Sequence, residues 1–178
     1  KDLQSAGNAG EFYTPRALTK FVVDMVAPKL GESVLDPACG TGGFLVNVLE
    51  YVRAHEVKTQ ADERRLVGSV HGVELKPLPH LLATTNFMLH DVENPSTLRR
   101  DDMLSKPLTQ YGPSDRVDVI VANPPFGGVV ADGTQGNFPK RFQTKDTALL
   151  FLALFVHLLK EGGRAGIVLP DGVLFGEG

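Results

Sequence analysis

Short runs rich in β-branched residues alternate along this chain with longer runs of helical spacing, and few folds accommodate that alternation. Strands are expected within 33–36, 70–75, 97–104, 117–122 and 164–169. Helices are expected from Thr14, at 43–53, at 78–89, and from Asp146 to about residue 160. This order is typical of an α/β protein with a mostly parallel sheet. We therefore predict a sheet of five strands flanked by helices.

Local signals indicate where these elements begin and end. Thr14 is expected to cap the first helix, with Pro15 at its first position. The polar segment 54–65 is expected to be a helix end and a surface loop, and 127–145 a long, mobile loop that covers a site. Gly162-Gly163 is expected to end the last long helix. The apolar residues at helical spacing in the first helix are Leu18, Phe21, Val22, Met25 and Leu30.

Length and cysteine content narrow the class of protein. A chain of 178 residues fits one domain, 1–178, with a sizeable core. The single cysteine, Cys39, excludes an internal disulfide and fits a reducing cytoplasm. The sequence has no apolar run long enough to cross a membrane, and its polar start lacks the pattern of a signal peptide. No cluster of His and Cys residues predicts a metal site.

The net charge bears on any nucleic-acid partner. Eighteen basic and 21 acidic residues give a formal charge of −3. Proteins that grip duplex DNA unaided usually present a basic surface, because neutralising phosphates supplies much of their affinity. The basic cluster Lys140, Arg141 and Lys145 fits either a phosphate contact or a solvated loop. We infer that any strong DNA contact needs another domain or subunit.

A glycine-rich segment, 36–44 (DPACGTGGF), lies where the first predicted strand turns into a helix. Glycines at such a turn let the backbone approach a ligand closely, and the turn's amides can bind polar groups. Glu74, at the end of the second strand, is a candidate acceptor for ribose hydroxyls. Asp102, after the third strand, fits equally a turn cap and a residue that holds an adenine amine. The pattern is not the dinucleotide motif G-x-G-x-x-G, which counts against a nicotinamide-linked oxidoreductase.

The tetrapeptide 123–126 (NPPF) follows the clearest strand in the chain. Open α/β sheets bind ligands at the carboxyl ends of their strands, and two prolines leave carbonyl acceptors without amide donors. The Asn123 side-chain oxygen and the Pro124 carbonyl could accept both hydrogens of a planar NH2 group, while Phe126 stacks on the attached ring. Such acceptors assist attack by a nitrogen whose lone pair is delocalised, and no strong general base is then required.

Together these segments resemble the N6-adenine DNA methyltransferase family, and within it the modification subunit of type I restriction-modification systems. Residues 10–15 (GEFYTP) resemble that family's N-terminal cofactor motif, 36–44 its glycine-rich motif, and 123–126 its catalytic tetrapeptide. Weaker matches lie at 102–104 and 163–175, and the motif order also fits. The resemblance implies a Rossmann-like, S-adenosylmethionine-dependent methyltransferase fold.

The resemblance also implies a role for each motif. Asn123, Pro124, Pro125 and Phe126 would hold a target adenine flipped out of the duplex, since its N6 cannot be reached inside the base stack. Within the S-adenosylmethionine site, Glu74 would hold the ribose and Asp102 the adenine. The other cofactor-binding residues that it implies are Glu11, Phe12, Tyr13, Thr14, Asp36, Pro37, Ala38, Gly40, Thr41, Gly42, Gly43, Phe44, Leu75, Met103 and Asn123.

The same resemblance implies partners and a larger protein. Modification subunits contact double-stranded DNA through a separate specificity subunit, which agrees with the acidic charge of this chain, and a restriction subunit completes the complex. Enzymes of this family have a seven-stranded sheet. Five predicted strands therefore imply a sheet truncated after the fifth strand, and a chain that is a fragment of a longer subunit.

Two other functions are open at this stage. A protein glutamine N5-methyltransferase that acts on release factors would present a similar NH2 group to Asn123. A non-catalytic, cofactor-binding scaffold would not need paired acceptors or a stacking ring, so the intact tetrapeptide counts against it.

Overall fold

The structure, a computed structural model, describes the backbone of residues 13–126 and 130–175 and the side chains of 13–126 and 130–173. Its helices are α1 Arg16–Val26, α2 Gly43–His55, α3 Gln60–Ser69, α4 Pro77–Leu89, α5 Thr147–Leu158 and α6 Asp171–Phe175. Its strands are β1 Val34–Asp36, β2 Val70–Glu74, β3 Leu98–Arg100, β4 Val117–Ala122 and β5 Leu159–Ile167. The α/β class predicted from the alternation is confirmed.

All strand pairs are parallel, and the order across the sheet is β3-β2-β1-β4-β5. The chain therefore builds outward from β1 to β3 and then returns to the other side of β1. Between β1 and β4 the direction of winding reverses, and open α/β sheets bind ligands in the crevice beyond the strand ends at such a point. Asp36 and Ala122 are the last residues of these two strands.

Alternate side chains of the strands enter two separate apolar cores, one on each face of the sheet. Val119 and Val121 pack with α1, α2 and α4 on one face, and Ile120 and Ala122 pack with α5 on the other. A parallel sheet covered on both faces gives continuous apolar strands, because neither face meets water. This burial holds the carboxyl ends of β1 and β4 at a fixed spacing.

The start of α1 differs from the prediction by one residue. Pro15 has ψ 137°, outside the helical region, and the helix begins at Arg16. Thr14 is therefore not a helix cap, and its hydroxyl instead accepts a hydrogen bond from Asn123. Local capping signals did not reveal this, because the partner lies 109 positions away.

The buried face of α1 also differs from the predicted one. Val23 and Val26 are buried, whereas Phe21 and Met25 are 59% and 69% exposed. The helix packs on α2 and β5. The face that makes this contact is shifted by about one residue from the face that the large apolar side chains predicted.

The segment 54–65 contains the start of helix α3, which the sequence analysis predicted to be a surface loop. Thr59 accepts a hydrogen bond from the Asp62 amide (3.1 Å), and the Asp62 carboxylate accepts one from the Thr59 amide (2.9 Å). This reciprocal arrangement is a capping box, and it starts α3 despite the polar sequence.

The strand β5 begins earlier than predicted and is irregular. Val117 pairs with Leu159, but Val119 pairs with Arg164, so extra residues of β5 form a bulge. Gly162, with φ +77°, lies in this bulge. The expectation that Gly162-Gly163 ends a helix at that point was wrong, because α5 ends at Leu158.

The described part of the predicted 127–145 loop is packed against the end of the sheet. It contains short helical turns at Thr134–Asn137 and Lys140–Phe142, and Phe138 between them is only 4% exposed. Asn137 donates a hydrogen bond to the Leu104 carbonyl (2.8 Å). In the parts of the chain that are described, no helix is long and apolar enough to span a membrane.

Candidate functional site

Two cavities lie at the carboxyl ends of the strands and meet at three shared residues, Ala38, Gly40 and Asn123. The smaller has a volume of about 110 Å³ and the larger about 300 Å³. Among the predicted site residues, the smaller is also lined by Tyr13, Thr14, Asp36, Thr41, Gly43 and Phe44. The larger is also lined by Pro37, Glu74, Leu75, Asp102, Met103 and Pro125. The cavities thus bring the two main sequence motifs together.

The glycine-rich turn places two of its glycines in the left-handed region of backbone conformation. Gly40 and Gly42 both have positive φ, +55° and +80°. At Gly42 an added Cβ would lie 3.3 Å from the Ala83 side chain of α4. Gly42 lines neither cavity, so its glycine allows close packing of α2 on α4, whereas Gly40 lies at the junction of the cavities.

Glu74 joins the loops that follow β1 and β2. It is 8% exposed, and its carboxylate accepts hydrogen bonds from the amides of Gly40 (2.9 Å) and Lys76 (2.7 Å). A carboxylate has about four lone-pair positions, so two remain for a ligand in the larger cavity. The 34 positions between Gly40 and Glu74 include α3, the insertion that lengthens this spacing.

Asp36 is 1% exposed at the end of β1 and lines the smaller cavity. Burial raises the pKa of its carboxyl to about 8, the amide of Ala38 opposes that rise, and the charge of Glu74 adds to it. The Ala38 amide donates to the Asp36 carboxyl over 3.1 Å. A carboxyl with this pKa is mostly protonated at pH 7, and a positive ligand in the cavity would favour its ionisation.

Asp102 closes a turn and also lines the larger cavity. Its carboxylate accepts a hydrogen bond from the Leu104 amide (2.9 Å), as a turn cap does. It also lines the larger cavity beside Met103, which is 5% exposed. The turn uses one oxygen of the carboxylate, Oδ1, and does not need the other oxygen, which could accept a hydrogen bond from a ligand.

Asn123 lies at the junction of the two cavities, directly after β4. Its side-chain nitrogen donates to the Thr14 hydroxyl over 3.0 Å. Its side-chain oxygen, Oδ1, is buried and has no hydrogen-bond partner within residues 13–126 and 130–175. Such an acceptor is costly to leave unpaired, and native proteins retain one chiefly where a ligand, water or ion completes it.

The rest of the tetrapeptide is divided between interior and surface. Pro124 is buried, Pro125 lines the larger cavity, and Phe126 is 40% exposed and lines neither cavity. An exposed aromatic ring three positions after an unpaired acceptor could serve as a platform for a planar ligand that arrives from solvent. The predicted residues Glu11 and Phe12 lie outside the described residues.

Several cavity residues were missed by the sequence analysis. Thr147 and Phe151 of α5 line the larger cavity, together with Thr134. In the smaller cavity, Thr19 accepts a hydrogen bond from the Asn47 side chain (2.6 Å) and donates one to the Arg16 carbonyl (3.0 Å). These residues have no motif of their own, and only the packing of α1, α5 and the Thr134–Asn137 turn brings them to the cavities.

Cys39 is a packing residue. It is 6% exposed, and burial raises the pKa of its thiol well above the ordinary value. A thiol with a raised pKa is a poor nucleophile. Among the residues whose side chains are described, no group of three or more His, Cys, Asp or Glu could hold a metal ion.

The arrangement suits transfer chemistry between two bound molecules. A larger cavity with three acidic side chains (Glu74, Asp101 and Asp102), a smaller one with a buried carboxyl, and an unpaired acceptor at their junction would hold an elongated polar ligand across both. A second, planar group carrying N–H donors could reach Asn123 from solvent beside Phe126.

The chain is similar to known proteins along nearly its whole length. A family model described as N-6 DNA Methylase matches residues 2–178. The chain is 57% identical to the methylase subunit of the type I restriction enzyme EcoEI from Escherichia coli, over 100% of this chain and 36% of that protein. It is 32% identical to the EcoKI methylase subunit of Escherichia coli strain K12, over 97% of this chain and 33% of that protein.

Two solved structures are also similar. One, described for complex assembly and conformational transition of the type I R-M system, has 43% identity and a TM-score of 0.89, covering 98% of this chain and 35% of that chain. The M protein of the type I restriction enzyme EcoKI has 32% identity and a TM-score of 0.78, covering 93% and 35%. The chain spans about one third of the length of these relatives.

Proposed function

Because this chain belongs to the N-6 DNA methylase family, we propose that it is the catalytic domain of an adenine-specific DNA methyltransferase. The reaction transfers a methyl group from S-adenosylmethionine to N6 of an adenine in DNA. The observation that carries this proposal is the buried, unpaired Oδ1 of Asn123 at the junction of the two cavities.

The described residues fit S-adenosylmethionine by the chemistry of their donors and acceptors. Glu74 and Asp102 offer carboxylates in the larger cavity, suited to ribose hydroxyls and to an adenine amine. Thr14 and Asp36 line the smaller cavity, where the methionine end of the cofactor would lie. The cofactor supplies a methyl group on a positively charged sulfur, which a weak nucleophile can attack.

Asn123 prepares that nucleophile. The amine of adenine is planar because its lone pair is delocalised into the ring. An acceptor at Oδ1 draws one N–H toward itself, favours a pyramidal nitrogen and stabilises the positive charge that forms as the methyl group arrives. The Pro124 carbonyl is the proposed second acceptor, and the Phe126 ring is the proposed stacking surface for the base. The proton leaves after transfer, so the site needs no strong base.

DNA is a better substrate than a release factor on the evidence of the family. A glutamine carboxamide would present similar N–H donors to Asn123, so the tetrapeptide alone does not distinguish the two. The family model and the relatives named above are DNA methylases and subunits of restriction enzymes. The target adenine must leave the base stack to reach Asn123, which costs a few kcal/mol of stacking and pairing energy.

The net charge of −3 supports a division of labour with partner subunits. We propose that a separate specificity subunit binds the DNA sequence and that a restriction subunit joins the full complex. In that arrangement this domain needs only local contacts with the flipped base and its nearest phosphates.

The proposal is tested by sequencing modified bases in the source genome with the intact gene present, deleted, and replaced by an Asn123→Ala variant. We expect N6-methyladenine at a two-part recognition site only with the wild-type gene. Removing the acceptor should lower the rate by about 100-fold or more, by analogy with the loss of a single oxyanion-hole donor.

An Asn94→Ala variant is the matched control, since Asn94 is exposed and lines neither cavity. It should retain the methylation pattern. Genomic adenine methylation that does not depend on the gene would refute the DNA substrate, and methylation of a release factor would replace it. Full activity of Asn123→Ala would leave the scaffold interpretation in place.

A further inference from the structure

The side chain of Asn123 can present either of two opposite surfaces to the substrate. A carboxamide has nearly the same shape after rotation by 180°, but the rotation exchanges an acceptor oxygen for two N–H donors. Only the oxygen can accept an N–H from an amine. With the amide reversed, donors would face donors and the reaction would lose its acceptor. A residue that fixes this rotation therefore contributes to the rate together with the amide.

Thr14 contacts the side of the amide that faces away from the free oxygen. Its hydroxyl accepts a hydrogen bond from the Asn123 side-chain nitrogen over 3.0 Å, which leaves Oδ1 as the unpaired atom. We infer that Thr14 is a positioning residue that holds the Asn123 amide with its oxygen toward the target amine. The inference rests on the proposed function.

Thr14 lies just before α1, whose first turn is closed by local hydrogen bonds and whose last turn is held by Arg164. The Pro15 carbonyl accepts hydrogen bonds from the amides of Leu18 (2.9 Å) and Thr19 (3.1 Å). At the other end, the Arg164 guanidinium donates to the carbonyls of Val26 and Ala27. The hydroxyl thus lies two residues before a helix whose far end is tied to Arg164 of β5.

The same hydroxyl connects the amide to the smaller cavity, which both Thr14 and Asn123 line. A threonine hydroxyl can donate as well as accept, so by itself it permits either rotation of the amide. An anionic acceptor in the cavity would take the hydroxyl hydrogen and leave only oxygen lone pairs toward Asn123. The nitrogen of the amide must then point to Thr14. Occupation of the smaller cavity would in this way set the catalytic orientation.

The test compares Thr14→Val, which keeps the shape and removes the hydroxyl, with Thr14→Ser, which keeps the hydroxyl. Both variants are made in the intact gene product, assembled with its partners, and assayed at saturating DNA and S-adenosylmethionine. Thr14→Val should lower kcat about 10- to 100-fold, the range expected when a buried N–H loses its partner. KM for DNA should change much less than kcat, because the contact with the target amine is only a small part of the surface that DNA meets. Thr14→Ser should recover most of the lost rate.

A second measurement needs no methyl transfer. With S-adenosylhomocysteine bound, the affinity of the complex is measured for DNA that carries either adenine or purine, which lacks the 6-amino group, at the target position. The wild type should prefer adenine, since Oδ1 accepts from its amine. Thr14→Val should lose that preference. In an Asn123→Ala background, Thr14→Val should add no further loss of rate, because no amide remains to be oriented.

The outcomes separate the inference from the function on which it rests. A wild-type complex that does not methylate DNA would refute the proposed function, and this inference with it. An active wild type with normal kcat in Thr14→Val, or with equal losses in Thr14→Val and Thr14→Ser, would refute the positioning role alone. A change confined to the affinity for S-adenosylhomocysteine would make Thr14 only a cofactor contact.

Discussion

The ionisation of Asp36 should be coupled to the binding of S-adenosylmethionine. Burial raises the pKa of this carboxyl to about 8, so in the free protein it is mostly protonated at pH 7. The cofactor carries positive charges on its sulfur and on its ammonium group. If its methionine end enters the smaller cavity, which Asp36 lines, the carboxyl should lose its proton on binding.

The magnitude follows from the burial and from Coulomb's law. A unit positive charge about 4 Å from the carboxyl, at an effective dielectric constant of about 20, contributes about 4 kcal/mol. Since about 1.4 kcal/mol corresponds to a factor of ten, the ionised form is favoured about a thousandfold. With a pKa of about 8, the carboxyl of Asp36 is about nine-tenths protonated at pH 7 before binding. Binding should therefore release about 0.9 proton per site at pH 7 and little above pH 9.

The assay is isothermal titration calorimetry of the intact gene product in buffers with different ionisation enthalpies, which gives the number of protons released. Asp36→Asn keeps the size of the side chain and its acceptor for the Ala38 amide, but it has no proton to release. The difference between wild type and variant cancels the titration of the cofactor's own ammonium group. Affinity should rise with pH up to about 8 in the wild type and less steeply in the variant.

Two results would contradict this reasoning. Equal proton release by wild type and Asp36→Asn would mean that another group titrates on binding. Release that is near zero in the wild type at pH 7 would mean that the carboxyl is already ionised, or that no positive charge comes close to it. Either result would remove Asp36 from the methionine end of the site.

The other predictions concern stability and the acidic side chains. Without cofactor, the Asp36 carboxyl keeps its proton to about pH 8 in the folded protein, whereas in the unfolded chain it loses the proton near pH 3.8. The free energy of unfolding should therefore fall as the pH rises between these values, by up to about 1.4 kcal/mol per pH unit. Asp36→Asn should flatten the pH dependence of Tm. Glu74→Gln should weaken cofactor binding about tenfold or more by calorimetry, because its carboxylate accepts two backbone amides and an amide NH2 cannot replace both oxygens. Gly42→Ala should lower the free energy of unfolding, measured by urea denaturation, by about 1–2 kcal/mol, because φ at Gly42 is +80°. Gly68→Ala is the control: this glycine lies in α3 with open space around it, and the change should raise the free energy of unfolding slightly. Equal effects of the two changes would contradict the backbone argument. Thr59→Ala should lower the free energy of unfolding by about 1 kcal/mol, because it removes one half of the capping box. An unchanged Tm would show that α3 does not depend on the capping box.

The motifs were readable from the sequence because each depends on neighbours in the chain. The Gly40 and Gly42 turn, the strand that ends at Ala122 and the cap at Asp146 all follow from local backbone and side-chain preferences. The α/β class followed for the same reason, since strand and helix periods are local patterns. The placement of the main motifs at one edge then followed from the parallel sheet, whose strand ends lie together.

Only the tertiary structure decided which partners the site residues have. Thr14 was expected to cap α1, but it holds Asn123 across 109 positions of chain, and that contact leaves Oδ1 free. Thr147 and Phe151 reach the larger cavity because α5 packs on the far face of the sheet. The pKa of Asp36 likewise depends on burial by elements distant in sequence. Hydrogen-bond partners, cavity walls and desolvation are set by long-range packing, which no local pattern encodes.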